Sequence, residues 1–222
     1  IKAILLIAFL WFYAMLTGLS PSVLRAATMF SFIVIAKATK RNTNIYNTLA
    51  VSAFFLLIIN PFLIMEVGFQ LSYLAVIGII YLQPKIYNWL NPHNWLLDKM
   101  WELTAVSIAA QVATFPLGLL YFHQFPNYFF ISNLIVIPLA TFIVYTGIIL
   151  FLVSWGTILA TWVAKALYWL IWAMNYCVQL IESIPHSLTE GLTINITETW
   201  MIYLIIITFL VYFAYKEAKY LH

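Results

Sequence analysis

Long runs of Leu, Ile, Val, Phe and Ala fill most of this chain, and short breaks marked by proline and polar residues separate them. The runs at 3–17, 21–36, 45–59, 65–82, 103–122, 128–152, 157–181 and 199–215 predict membrane segments, since about 20 apolar residues carry a helix across roughly 30 Å of hydrocarbon. The first three are short enough to be tilted, broken or re-entrant. At Ser20-Pro21, Asn60-Pro61, Gln83-Pro84, Asn91-Pro92 and Phe125-Pro126-Asn127, proline blocks helix continuation and restrains the residue before it. The expected fold is all-α, a polytopic transmembrane helical bundle of about seven or eight segments. Stretch 83–102 is too interrupted to span, and its Trp89, Trp95 and Trp101 suit a connector lying at headgroup level.

Polar positions inside the runs are the informative exceptions, because hydrocarbon offers them no partners. Ser20 and Pro21, following Gly18, suit a helix start as N-cap and first helical residue. That start places Arg25 within two turns of the helix end. Arg25 either snorkels to the interface or is held near a positive helix terminus for an anion. Over 157–182, Thr161, Lys165, Tyr168, Trp172, Asn175, Gln179 and Glu182 recur at steps of four and three, which places all seven on one stripe of an amphipathic helix. Such a helix either walls a hydrated channel or lies in the interface plane. Thr104, Ser107, Gln111 and Thr114 form a milder stripe over 103–122. Gly68, Ser72, Ala75 and Gly78 make a small-residue side suited to close helix approach, while Gln70 and Tyr73 project elsewhere and need partners. Asn133 also needs a partner, and Pro138 five positions on is expected to break or kink its helix.

Composition narrows the class. The chain has 222 residues, 65% hydrophobic and 8% charged, against roughly a quarter charged in an ordinary soluble domain. Soluble enzymes, disordered chains and disulfide scaffolds are excluded. Ten Lys and Arg against seven Asp and Glu give +3. With the amino end inside, eight of the ten cations (Lys2, Lys37, Lys40, Arg41, Lys85, Lys99, Lys216 and Lys219) fall on inner sections. The loops at 60–64, 123–127 and 183–198 carry none, so both ends are expected in the cytoplasm. The chain begins at Ile1 directly in an apolar run and reads as a piece of a longer protein.

Several chemistries are missing from the sequence. Cys177 is the single cysteine, which excludes an internal disulfide and a cysteine metal site. No Gly-rich phosphate loop, HExxH helix or close carboxylate pair occurs, and the four histidines fall in loops or at the carboxyl end. Gly18-Leu19-Ser20 superficially resembles an intramembrane serine nucleophile, yet no span holds a histidine to activate it. Asn195-Ile196-Thr197 fits a glycosylation sequon. No enzymatic activity, catalytic residue, metal or cofactor is expected.

Three blocks together resemble the ComEC family of competence proteins. Thr17 to Met29, TGLSPSVLRAATM, is similar to the family's GxxxSxxRA block. Pro61 followed by Gly68-Phe69-Gln70-Leu71-Ser72-Tyr73-Leu74-Ala75-Val76 is similar to its GFQLS block. Pro116 with Asn133 and Pro138 resembles its N-x-x-x-x-P helix. The resemblance covers roughly residues 10–140 and identifies the chain as the carboxyl-terminal part of a competence membrane domain. It implies import of single-stranded DNA across the bacterial inner membrane, with the lipid bilayer and missing segments of the same protein, an oligonucleotide-binding-like domain and a nuclease domain, as partners. A cytosolic DNA-translocating ATPase and a second copy of the chain are further partner candidates. A nuclease domain after the last span belongs outside, whereas the charge rule puts Lys216 and Lys219 inside; such a domain is lacking, or the span count is off by one with 157–181 in the interface. On this reading the DNA path includes Arg25, Gln70, Ser72, Tyr73, Gln111, Asn133, Lys165, Tyr168 and Trp172. A small-anion transporter and a non-conducting membrane scaffold are the rival readings.

Overall fold

In a membrane chain each helix end and each buried polar group must find its partner within the protein, and this requirement shapes the turns. The computed structural model describes residues 2–39, 44–90, 92–153 and 155–220. Lys40, Arg41, Asn91 and His222 lie outside the described residues, as does the side chain of Lys219. Each expected run forms a helix: α1 (Lys2–Leu16), α2 (Pro21–Ala38), α3 (Ile45–Ile59), α4 (Val67–Tyr87), α5 (Trp95–Phe122), α6 (Phe129–Val153), α7 (Thr157–Glu182) and α8 (Ile196–Tyr220). Six are long and apolar enough to cross a membrane. The other two, α1 and α3, have 15 residues each and rise about 22 Å. The chain forms two units, 1–80 and 81–222.

In the first unit, α1 ends in a Schellman motif. The Gly18 N–H donates to the Met15 carbonyl at 3.1 Å and the Leu19 N–H to the Ala14 carbonyl at 2.9 Å, which satisfies carbonyls the helix end would otherwise orphan. The turn needs left-handed backbone at Gly18 (φ +74°) and at Leu19 (φ +54°). Pro21 then opens α2 with its φ already set. Ser20 occupies the N-cap position as expected, but its side chain makes no capping hydrogen bond; the preset proline holds the start without it. Ala14 is fully buried, and Trp11 Nε1 donates to Ser31 Oγ at 3.1 Å, joining α1 to α2. Asn44 caps α3 and Asn60 caps a 3-10 turn, Pro61–Met65, through their side-chain oxygens. The core gathers Met29 of α2, Leu49 and Leu56 of α3, and Phe69 and Tyr73 of α4.

In the second unit the expected break at Gln83-Pro84 does not occur. Pro84 sits inside α4, where it removes one backbone donor, yet the following turn is secured by packing. Leu82 and Ile86 are buried against Ala105 and Ala109 of α5. Trp101 Nε1 donates to the Tyr87 carbonyl at 2.8 Å, and the Tyr87 hydroxyl donates to Asp98. Stretch 83–102 is therefore not a separate connector helix: its front part completes α4 and its back part, from Trp95, begins α5 under an Asn94 cap. Pro138 likewise lies inside a helix that continues to Val153, so it does not break α6.

Helices α6 and α7 form an antiparallel hairpin. At its open end two short strands, β1 (Gln124–Pro126) and β2 (Leu188–Glu190), pair antiparallel with Phe125 opposite Thr189. Three-residue strands leave no hydropathy signal, and the sequence reading missed them. Asn127 secures this end, its Nδ2 donating to the His186 carbonyl at 2.7 Å and to Thr189 Oγ1 at 2.8 Å. The Tyr203 hydroxyl of α8 donates to the Ala113 carbonyl of α5 at 3.1 Å.

The α1–α2 turn yields a measurable expectation. A Cβ at Gly18 meets nothing within 4 Å, so Gly18→Ala should cost only the left-handed strain, about 1 kcal/mol, read by equilibrium unfolding in detergent. An unchanged midpoint would show that the turn does not depend on glycine.

Candidate functional site

Arg25 is 7% exposed although it lies on a helix of membrane-spanning length, and a charge at such a place needs hydrogen-bonding partners. Nε donates to Ser72 Oγ at 3.2 Å, and the Ser72 hydroxyl donates in turn to the Gly68 carbonyl at 2.7 Å. The guanidinium rests on Gly68: a Cβ there would lie 3.1 Å from Nη2 and 3.5 Å from Nη1. At Gly68 and Ser72 the small-residue side of α4 thus receives a cationic side chain from α2. Among the described residues the one ion pair joins Lys99 to Glu102, so no carboxylate neutralises Arg25.

Next to this pair, Tyr73 shares a 3.1 Å hydrogen bond with Ser52 of α3. Ser52 gives its own proton to the Leu49 carbonyl, which makes Tyr73 the donor. Gln70 Nε2 donates to the Ile64 carbonyl at 2.8 Å and ties α4 to the 3-10 turn before it. The first unit therefore brings Arg25, Ser72 and Tyr73 together, with Gln70 directed to a structural bond. A cleft of about 360 Å³ opens here, lined among others by Ser22, Arg25, Met29, Leu49, Ser72 and Val76.

The expected stripe of the second unit is present on α7. Thr161, Lys165, Tyr168, Trp172, Asn175, Gln179 and Glu182 are all exposed, while Val163, Leu167, Leu170, Met174, Cys177 and Ile181 on the other side are half-buried. Lys165 Nζ lies 5.4 Å from the centre of the Trp162 ring, within cation–π range. Trp169 and Tyr176 extend the aromatic line: Trp169 meets Trp172 edge-on at 5.5 Å, and Trp172 stacks on Tyr176 at 5.2 Å and 6°. Gln111 of α5 lines a second cleft of about 480 Å³ with Phe115, Phe125, Asn127, Phe129 and Thr189. Asn133, half-buried on α6, is not part of that wall. Among the described residues no three His, Cys, Asp or Glu side chains gather as a metal would require.

Sequence reasoning missed Ser52, Trp169 and Tyr176. Thr48 and Ser52, four apart in an otherwise apolar helix, were the available signal for the first. The other two sit one position beside the stripe or one turn along it, where large rings still reach their neighbours.

A sequence profile described as "Competence protein" matches residues 1–219. The chain belongs to the competence protein family. Among curated relatives, ComE operon protein 3 of Bacillus subtilis (strain 168) is 31% identical over 174 residues, 76% of this chain and 22% of that protein. An uncharacterized protein, YcaI, of Escherichia coli (strain K12) is 28% identical over 136 residues, 60% of this chain and 18% of its own length. The chain thus spans about a fifth of the length of these relatives. No solved structure matches it. As a competence-family chain with six helices able to cross a bilayer, it is a multi-pass membrane protein.

Two expectations follow for the Arg25 cluster. Gly68→Leu should push the guanidinium off its seat and destabilise by about 1–3 kcal/mol, and the loss should shrink in an Arg25→Ala background when a double-mutant cycle is run; strictly additive losses would place the clash elsewhere. Ser52→Ala leaves the Tyr73 hydroxyl buried without its acceptor and should cost about 1–3 kcal/mol, more than Tyr73→Phe, which removes the whole group. Unfolding titrations of both variants compare them directly.

Proposed function

We propose that this chain is part of a channel that imports single-stranded DNA across the bacterial inner membrane during natural transformation. In that role it is a conduit and carries out no bond chemistry. The observation that supports this most directly is the outer face of α7. Asn175 and Gln179 on that face are polar groups that lipid cannot satisfy, so the face suits water or a passing solute. Lys165 supplies positive charge for a polyanion. Tyr168, Trp169, Trp172 and Tyr176 supply flat rings on which bases of any sequence can stack. Arg25 adds a second uncompensated cation, and Gln111 and Asn133 are polar residues available along a wet path. Two names bear on the proposal: the family is called competence protein, and one relative is a ComE operon product. Oligonucleotide-binding and nuclease segments of the same protein, a cytosolic DNA-translocating ATPase and a second copy of the chain are the partners such a conduit would use.

Cysteine accessibility tests the reading in competent cells. With Cys177 replaced by Ser, Lys165→Cys and Gln179→Cys should each react with a water-soluble maleimide and become protected while DNA is being taken up. Unreactive thiols at both positions, or reaction that DNA never slows, would remove α7 from a DNA path and favour a membrane scaffold.

A further inference from the structure

We infer that the cleft beside Arg25 is a seat for one phosphodiester group of the transported strand, built from the Arg25 guanidinium, the Ser22 hydroxyl and the first-turn amides of α2, with Ser72 holding Arg25 in place. The inference rests on the single-stranded DNA reading and specifies how the strand is held.

Two independent features meet in this cleft. The first is the start of α2. Pro21 has no N–H, and the Ser20 side chain caps nothing, so the opening amides of the helix receive no side-chain acceptor. A helix start carries partial positive charge and directs its free amides outward, the arrangement that favours an oxyanion. Ser22, in that first turn, lines the cleft and stands three residues before Arg25, on the same helical face.

The second feature is Arg25 itself. It is more than nine-tenths buried, it forms part of the cleft wall, and Nε is the guanidinium's one hydrogen-bonding donor among the described residues. A guanidinium presents five donors in a fixed fork matched to phosphate oxygens. Among the described residues no carboxylate occupies that fork, and Gly68, having no Cβ, leaves space beside Nη1 and Nη2. At about 360 Å³ the cleft has the liquid volume of roughly a dozen waters, ample for one phosphodiester. Its remaining lining includes Met29, Leu49 and Val76, which offer a sugar or base no hydrogen bonds. The seat therefore reads phosphate alone and is indifferent to sequence.

The test uses the full-length protein in phosphatidylcholine nanodiscs, with fluorescent oligothymidylate carrying either natural diesters or uncharged methylphosphonate linkages. Ser22→Glu is the main variant: a carboxylate in the first turn favours the helix while repelling an anion from the cleft. Arg25→Gln is the second. Each should weaken binding of the natural oligonucleotide at least about tenfold, the worth of one charge-assisted hydrogen bond. Each should also shrink the preference for natural over methylphosphonate linkages. Natural oligonucleotide bound by both variants at wild-type affinity would overturn the seat and leave the transport reading standing. Oligonucleotide binding absent from the wild-type protein would remove both. In discs doped with phosphatidylglycerol, a variant that loses tightly held lipid but keeps its oligonucleotide affinity would assign the cleft to a headgroup and overturn the proposal.

Discussion

A positive charge buried in an apolar bundle organises the first unit. Leaving a guanidinium in hydrocarbon without partners would cost several kcal/mol or more, and the neighbouring residues are those that make its position tolerable. Gly68 gives room for the flat group, Ser72 accepts its Nε proton, and the Ser72 hydroxyl is itself oriented by the Gly68 carbonyl. Tyr73 and Ser52 then close a second polar contact alongside, inside the same core as Phe69 and Leu49. A carboxylate would have satisfied Arg25 more completely. Among the described residues none does so, and the cation stands without a counter-charge.

The second unit treats polarity differently. On α7, Lys165 is exposed and the aromatic rings beside it contact one another along the helix instead of filling a core. α7 therefore has two working sides: a half-buried apolar side suited to packing on α6, and a polar and aromatic side left open. The pairing of β1 with β2 and the Asn127 hydrogen bonds fix one end of that hairpin. The open side is thus presented by a tethered element and not by a loose helix.

How much of this was legible depended on whether the cause was local. Hydropathy located every α-helix, because each run must satisfy its own backbone in lipid, and the seven residues at steps of three and four on α7 are exposed, together with apolar neighbours such as Ile171 and Leu180. Pro84 misled because a proline signal reports the local backbone, whereas the turn after it is held by Ala105, Ala109, Trp101 and Asp98, all on another helix. The same applies to Ser20, whose residue type suits a cap that the adjacent proline makes dispensable. Arg25 stood out at once as an oddity. That Gly68 and Ser72 form its seat was written in two separate blocks of the sequence, and only the fold shows that they touch.

The tandem left-handed pair at Gly18 and Leu19 has a further consequence. The Schellman bonds fix where α1 stops, and Pro21 fixes where α2 begins, so the chain between them has no slack. Each residue of an α-helix turns by about 100°, and a single insertion or deletion there would rotate Arg25 away from Gly68 toward a neighbouring apolar face. The turn therefore acts as an angular index for the buried cation: the length of this link, and not only its residue types, sets which way the charge points.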